Sequence, residues 1–348
     1  MFKAIEWVES PQAAIRLLDQ TELPAVEKYC DITDTASLVD AIQRLVVRGA
    51  PALGAAGAYG VTLAMVEAER EGLSQDQLQE LIHSVRHARP TAVNLAWGVD
   101  QVRDLVSDGL QAVLAAAHRI AEADIANNKK LSELGADWIL AKTGKDKVRV
   151  VTHCNTGGLA TVGWGTALGI IRELHDRDAL EIVYADETRP LLQGARLTSW
   201  ELKQLGINHV VEADGAASST ILRGLVDVAI IGADRITANG DTANKVGSVA
   251  LALACDRAGI PFVVAAPTST IDMDTATGAG IHIELRTDIE IHEFQGVRAT
   301  PEGVTGFNPA FDVTPCDLVS AIATENGVAE PATTNNPRVM ETVLTPSS

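Results

Sequence analysis

The carboxy-terminal half of the chain alternates apolar β-rich runs with helical segments, and few architectures accept that pattern. VRVVTH (148–153), LEIVYADE (180–187), HVVEA (209–213), DVAIIGAD (227–234) and PFVVAAP (261–267) recur at roughly thirty-residue intervals or less. Between them GWGTALGIIRELHD, GARLTSWELKQLG, SSTILRGL and ANKVGSVALALACDRAG read as crossover helices, two of them closed by glycine. The expected fold is therefore α/β, with a Rossmann-like doubly wound parallel sheet. IHIEL (281–285) is expected as a sixth strand at its edge.

The amino-terminal part has a different rhythm. KAIEWV, AAIRLL and AVEKYC are short apolar-rich segments that suggest an antiparallel β-meander. From Asp34 the spacing of Leu38, Ile42 and Leu45 is helical, with Asp34 or Thr35 able to cap. RGAPALGAAGAYG then opens a helix of very small residues, suited to close packing. Residues 74–88 read as a helix, and 94–143 as a long helical hairpin. Gly144 to Lys147 separates this stretch from the first strand. The expected organisation is a smaller domain over 1–144, antiparallel strands plus helices, then the Rossmann-like domain over 145–330. A loose polar tail over 331–348 completes it.

Composition narrows the function classes. At 348 residues and 46% hydrophobic content a sizeable core is available. The net charge of -18 opposes nucleic acid and anionic membrane surfaces, and no apolar run reaches the roughly 20 residues of a membrane helix. Any phosphate site must then come from local arginine, lysine and helix amino ends. Cys30, Cys154, Cys255 and Cys316 are widely spaced without a CxxC pair, and MFKAIEWVES has no secretory leader. The expected setting is the cytoplasm.

Cys154, Glu187 and Asp234 each lie just past a different strand and should converge on one rim, where such folds place acids and bases. Each has a bland reading beside the functional one. A free cysteine is often a small buried apolar group. Asp234 could be a turn or cap residue, Asp241 in NGD a turn residue, and Glu187 an orienting group for Arg189. His153 reads as a base or as a satisfied neighbour, and no His/Cys/Asp/Glu set has the sequence spacing of a zinc site. Phosphate could be held at Arg48 before GAPALG, at Arg89 before Pro90, at Gln193 and Gly194 opening one helix, and at Asn244 and Lys245 opening another.

RGAPALGAAGAYG, ARPTAVNLAWGVD, THCNTGGLATVGWGTALGII, DETRPLLQGARLTSWEL, IIGADRITANGDTANKVGS and FNPAFDVTP occur in order. Together they resemble the methylthioribose-1-phosphate isomerases, in the superfamily that includes the regulatory subunits of eIF-2B. The resemblance runs to about residue 330. It implies a homodimer and an isomerase converting 5-methylthioribose 1-phosphate to 5-methylthioribulose 1-phosphate, in methionine salvage. The family's catalytic cysteine and aspartate fall on Cys154 and Asp234. Its substrate-binding positions fall on Arg48, Gly49 and Ala50, and on Arg89, Gln193, Asn244 and Lys245. IHIELR and NTGGLAT depart from the family's usual IPIEER-like and NAGALAT blocks, which puts the sugar's 5-substituent in question rather than the reaction. The alternatives are a 5-deoxyribose 1-phosphate isomerase, alone or alongside the first activity, and a non-catalytic eIF-2B-like subunit. CNTGGLATVGWG lacks the GxGxxG order, so no nicotinamide cofactor is expected, and no metal. The apolar strands suggest a C2-to-C1 hydride shift with Asp234 as proton donor.

Overall fold

The computed structural model describes residues 2–9, 11–90, 93–294 and 296–345. Thr91 and Ala92 of the ARPTAVNLAWGVD block and the last three residues of the expected tail lie outside them. The chain forms two compact units. One comprises Met1–Lys129 with Thr156–Leu168, and the other Lys130–Asn155 with Gly169–Ser348. The division falls between Lys129 and Lys130, inside the 34-residue helix Leu110–Thr143, rather than at Gly144.

In the first unit β1 (Ile5–Val8), β2 (Ala14–Leu18) and β3 (Tyr29–Ile32) form the expected antiparallel meander. Helix α1 (Thr35–Gln43) starts where Asp34 accepts the Ser37 N–H at 2.7 Å, and α3 (Gln75–Arg86) starts in a capping box between Ser74 and Gln77. Between them α2 (Ala50–Glu71) packs on α4 (Val93–Val102) at backbone contact. A Cβ on Gly98 would lie 2.0 Å from the Gly54 carbonyl oxygen, and one on Gly57 2.4 Å from that of Leu95. The small residues of α2 are thus the condition for this approach. Helix α5 (Leu110–Thr143) follows.

The second unit is built on a seven-stranded sheet. Its strands are β4 (Val148–Thr152), β5 (Leu180–Asp186), β6 (His209–Glu212), β7 (Val228–Ile231), β10 (Phe262–Ala265), β15 (Ala321–Thr324) and β16 (Gly327–Ala329). The order is β16-β15-β10-β7-β4-β5-β6, parallel except for the β15–β16 hairpin. The chain moves outward from β4 to β6 and then returns to β7 on the other side of β4. The β4/β7 gap is therefore the topological switch point, where doubly wound sheets bind ligands beyond their carboxyl ends. Helices α6 (Ala167–Asp176), α7 (Ser199–Gln204), α8 (Ala217–Leu222) and α9 (Ser248–Ala258) are the crossovers.

Three expectations change. The sheet edge is the β15–β16 hairpin, whose Ala321, Ile322 and Ala323 are fully buried, whereas 281–285 is half exposed and forms no strand beyond a Leu285–Pro309 bridge. A second sheet joins β8 (Arg235–Thr237), β9 (Thr242–Lys245), β11 (Ile271–Asp272) and β14 (Phe311–Thr314) in the order β11-β8-β9-β14, and β12 (Glu293–Phe294) pairs antiparallel with β13 (Val297–Arg298). Asn244 and Lys245 consequently sit in a strand rather than at a helix start. The segment after Glu330 is anchored at one place rather than loose throughout: residues 332–338 are exposed, but Val339, Met340 and Val343 are buried in the core, and the Met340 N–H donates to the Ala238 carbonyl at 3.2 Å. No helix among the described residues is long and apolar enough to cross a membrane.

Asp227, just before β7, ties the start of β4 to it. Its carboxylate accepts the Arg149 N–H at 2.8 Å, Arg149 Nη2 at 2.7 Å and Lys145 Nζ at 2.6 Å. Burial alone would raise its pKa, but the hydrogen bonds from Arg149 and Lys145 outweigh it and hold it at about 2. A depressed carboxylate contributes stability above its unfolded value and loses it as pH falls through the folded value. The tie should add up to about 2 kcal/mol near neutral pH and fade below about pH 4. Urea midpoints of the wild type and Asp227→Asn should therefore converge on acidification; a gap independent of pH would refute the tie.

Candidate active site

Cys154 follows β4 by two residues, is 6% exposed, and takes φ of 63°, a left-handed conformation that a non-glycine residue adopts only when its surroundings enforce it. The enforcing contacts are on both sides of the residue. Its N–H donates to Thr188 Oγ1 at 2.8 Å, and its carbonyl accepts Thr198 Oγ1 at 2.6 Å. Thr188 is itself left-handed, at φ of 65°, and fully buried. Its N–H and that of Arg189 donate to the two oxygens of Asp214, at 2.7 and 2.6 Å.

His153, next to the cysteine, is fixed at both ring nitrogens. Nδ1 lies 2.8 Å from Asp186 Oδ2 and Nε2 lies 2.9 Å from the Val246 carbonyl. Two acceptors require two ring protons. Burial works against the charge, yet the Asp186 hydrogen bond, the Asp186 and Asp214 carboxylates and the Val246 carbonyl together raise the imidazole pKa. Gly247 has to be glycine, since a Cβ there would come within 2.7 Å of the His153 ring. His153 is therefore a locked neighbour and has no ring nitrogen available for proton exchange with a ligand.

Asp234 lies three residues past β7, the strand beside β4, and is exposed. Its N–H donates to the Ala243 carbonyl at 2.9 Å, which sets it beside Asn244. Asn244 is buried and donates to Ser248 Oγ at 2.9 Å. Lys245 Nζ donates to the Ala310 carbonyl at 2.7 Å and lies 4.7 Å from the Phe311 ring centre. Gln193 is 5% exposed, and its Oε1 is buried with no protein donor. Next to it, a Cβ on Gly194 would fall 1.6 Å from the Asp186 carbonyl oxygen. The second unit thus brings Cys154, Asp234, Gln193, Asn244 and Lys245 to one end of the sheet, one residue or less from contacts that link their segments. Glu187 directly follows β5, with its N–H bonded to the Glu212 carbonyl. Asp241, expected in a turn, instead ties distant segments together: its carboxylate accepts the Gly278 and Cys316 N–H groups.

The first unit carries the other residues expected to bind. Gly49 takes φ of 98° at the start of α2, and a Cβ there would lie 2.1 Å from the Ala160 carbonyl oxygen, which also accepts the Ala52 N–H. Arg48, Gly49 and Ala50 therefore lie against the small-residue loop that follows Cys154 in sequence. Arg89 is half-buried after α3.

Sequence reasoning missed Thr188, Thr198, Asp186 and Asp214. Single hydroxyl and carboxylate residues at strand ends and in turns form no periodic pattern. His153, Asp186 and Asp214 do offer donor atoms within 4.8 Å of one another, although they come from three separate strand ends. Those atoms are engaged: the imidazole with Asp186 and Val246, and Asp214 with two backbone N–H groups. The set reads as a hydrogen-bonded frame for the loop after β4 rather than as a metal centre.

Residues 46–331 match the Initiation factor 2 subunit family. The chain is 48% identical over 324 residues to the methylthioribose-1-phosphate isomerase of Thioalkalivibrio sulfidiphilus, covering 91% of each protein. Its fold is similar to the crystal structure of 5-methylthioribose 1-phosphate isomerase from Pyrococcus horikoshii, with a TM-score of 0.88, 35% identity, and coverage of 98% of this chain and 95% of that one. It is also similar to the translation initiation factor eIF-2B subunit delta from A. fulgidus, with a TM-score of 0.86, 38% identity, and coverage of 98% and 100%.

Proposed function

The chain belongs to the initiation factor 2 subunit family, and from that premise we propose that it is an isomerase of methylthioribose 1-phosphate, forming methylthioribulose 1-phosphate in methionine salvage. Overall likeness does not separate this reading from a regulatory subunit, since solved structures of both names resemble the chain closely. One observation carries the enzyme reading. A buried cysteine is held in a left-handed conformation at the switch point, and an exposed aspartate follows the adjacent strand. A binding module has no need of that arrangement.

The chemistry follows from the substrate. An aldose with phosphate on its anomeric oxygen cannot open to a free aldehyde, so the bond from C1 to the ring oxygen must be broken with help. The ring oxygen takes a proton, the C2 hydroxyl loses one, and hydrogen moves from C2 to C1. Cys154 and Asp234 divide the acid and base tasks. The apolar enclosure expected to make Asp234 the donor is not what surrounds it, for its side chain is exposed. Gln193 Oε1, buried without a protein donor, suits a sugar hydroxyl. Arg48, Gly49, Ala50, Arg89, Asn244 and Lys245 are the other proposed substrate-binding positions, each carried over from the family resemblance residue by residue. The reaction is redox-neutral, so we propose no cofactor, and none of the steps calls for a metal. With a net charge of -18 we propose no nucleic-acid or membrane partner. The proposed setting is cytoplasmic, as a homodimer, whose mass light scattering measures.

Purified protein should turn over methylthioribose 1-phosphate faster than the 5-deoxy sugar. Absence of turnover on either would favour the regulatory reading, and a reversed preference would reassign the substrate. In deuterated water a direct hydride shift leaves C1 of the ketose free of deuterium, whereas an enediol route places it there.

A further inference from the structure

We propose that Thr188 and Thr198 are positioning residues of the isomerase, two hydroxyls that grip the peptide on either side of Cys154 and thereby aim its thiol. The inference rests on Cys154 taking part in the isomerisation. The left-handed well is costly for a residue with a Cβ, so without outside contacts the peptide would relax to an ordinary conformation and turn the side chain away. Thr188 Oγ1 accepts the Cys154 N–H at 2.8 Å and donates to the Asp186 carbonyl at 3.1 Å. Thr198 Oγ1 donates to the Cys154 carbonyl at 2.6 Å and accepts Asn155 Nδ2 at 3.3 Å. Each hydroxyl thus uses its proton and a lone pair in a fixed direction, and neither has a spare proton for a ligand.

The grip is itself braced. Asp214 holds the Thr188 N–H, and the left-handed φ of Thr188 turns its hydroxyl toward Cys154. Thr198 closes a π-helical turn, Gly194–Thr198, a form whose extra residue per turn is common at functional sites because it redirects a side chain. Asn155, after the cysteine, is fixed by Glu201 at 2.8 Å, and His153, before it, by Asp186 and Val246. Only the cysteine between these fixed neighbours is left to choose its conformation, and the two threonines make that choice.

The test compares Thr188→Val, which keeps the shape and removes the hydroxyl, with Thr188→Ser, which keeps the hydroxyl. Thr198→Val gives the same comparison should Thr188→Val fail to fold. The valine variants should lose about 100-fold in kcat with KM little changed, and the serine variant should stay near wild type. Site-resolved alkylation by iodoacetamide is read in parallel, because it does not depend on the isomerase reading. Loss of the grip should raise the rate at Cys154 about tenfold while leaving buried Cys255 protected. Equal acceleration at both cysteines would mean general loosening and would overturn the proposal. So would a valine variant with wild-type kcat, or a serine variant as impaired as valine. Wild type without turnover, but with the selective change in alkylation, would sink the isomerase reading and leave the grip standing.

Discussion

Cys154→Ser should lower kcat by about a thousandfold, and Asp234→Asn should do so to a similar degree, each with KM changed far less. Serine is close in size to cysteine and keeps the backbone contacts of residue 154, so the loss would report the proton-transfer capacity of the thiol rather than a collapsed loop. A hydroxyl gives up its proton far less readily than a thiol, so serine can neither serve as the acid nor be present as the conjugate base to the same extent. Asn at 234 removes the titrating group from an exposed side chain while keeping its size. If the two groups serve one step as acid and base, the double variant should be little worse than either single one, since the second loss falls on a site already unable to turn over. Strictly multiplicative losses would instead mean that the residues act in separate steps. A kcat within tenfold of wild type in either single variant would remove that residue from the proton transfers. Steady-state kinetics on methylthioribose 1-phosphate, with unfolding midpoints beside them, suffices to decide.

What could be read from the chain was whatever burial writes as a pattern. The strand Val148–Thr152 and its parallel neighbours are apolar because both faces of the sheet are covered, and Val228–Ile231 and Phe262–Ala265 are buried at every position. Asp234 and Cys154 could be placed at the rim because a strand end is where such a run stops. Lys245 and Asn244 could not be placed correctly. Thr242–Lys245 is a short, largely polar strand whose burial comes from its partners Arg235–Thr237 and Phe311–Thr314, the latter about seventy residues away in sequence. The Ala321–Thr324 strand was legible in principle, as AIAT and GVA flank the two-residue turn Glu325–Asn326. The apolar alternation of IHIEL competed for the same edge and had no partner there. Met340 shows the opposite failure: a polar, proline-containing and largely exposed segment is anchored because three apolar side chains in it reach the core.

Thr188 and Thr198 mark the deeper limit. Their role depends on the φ of Cys154 and on a π turn, and neither is encoded by composition or period. Asp186 was visible only as the end of a strand, and its pairing with His153 spans 33 residues. A site assembled from loop residues is defined by backbone geometry, and the glycines nearby are the one trace of that geometry in the sequence.

Gly194 is such a trace, and Gly194→Ala should be among the most damaging single substitutions in the chain outside the acid/base pair. The position has no positive φ to relieve, so the cost is purely steric. The new Cβ would lie 1.6 Å from the Asp186 carbonyl oxygen and 2.9 Å from Thr188 Oγ1. A carbonyl at the end of a buried strand cannot rotate away as a surface side chain could, so either that strand end or the π turn must shift. Overpacking of this kind should cost about 3 kcal/mol. Gly215→Ala, where a Cβ meets nothing within 4 Å, provides the matched control and should stay within about 0.5 kcal/mol of wild type. Activity should fall more steeply than stability. The displaced atoms are the carbonyl that accepts the Thr188 hydroxyl and that hydroxyl itself, so the shift passes directly to the Cys154 peptide. Urea unfolding and kcat measured on both variants separate the effects. A Gly194→Ala protein as stable and as active as Gly215→Ala would mean that the strand end and the π turn do not meet as closely as described, and the path from Asp186 through Thr188 to the cysteine would lose its footing.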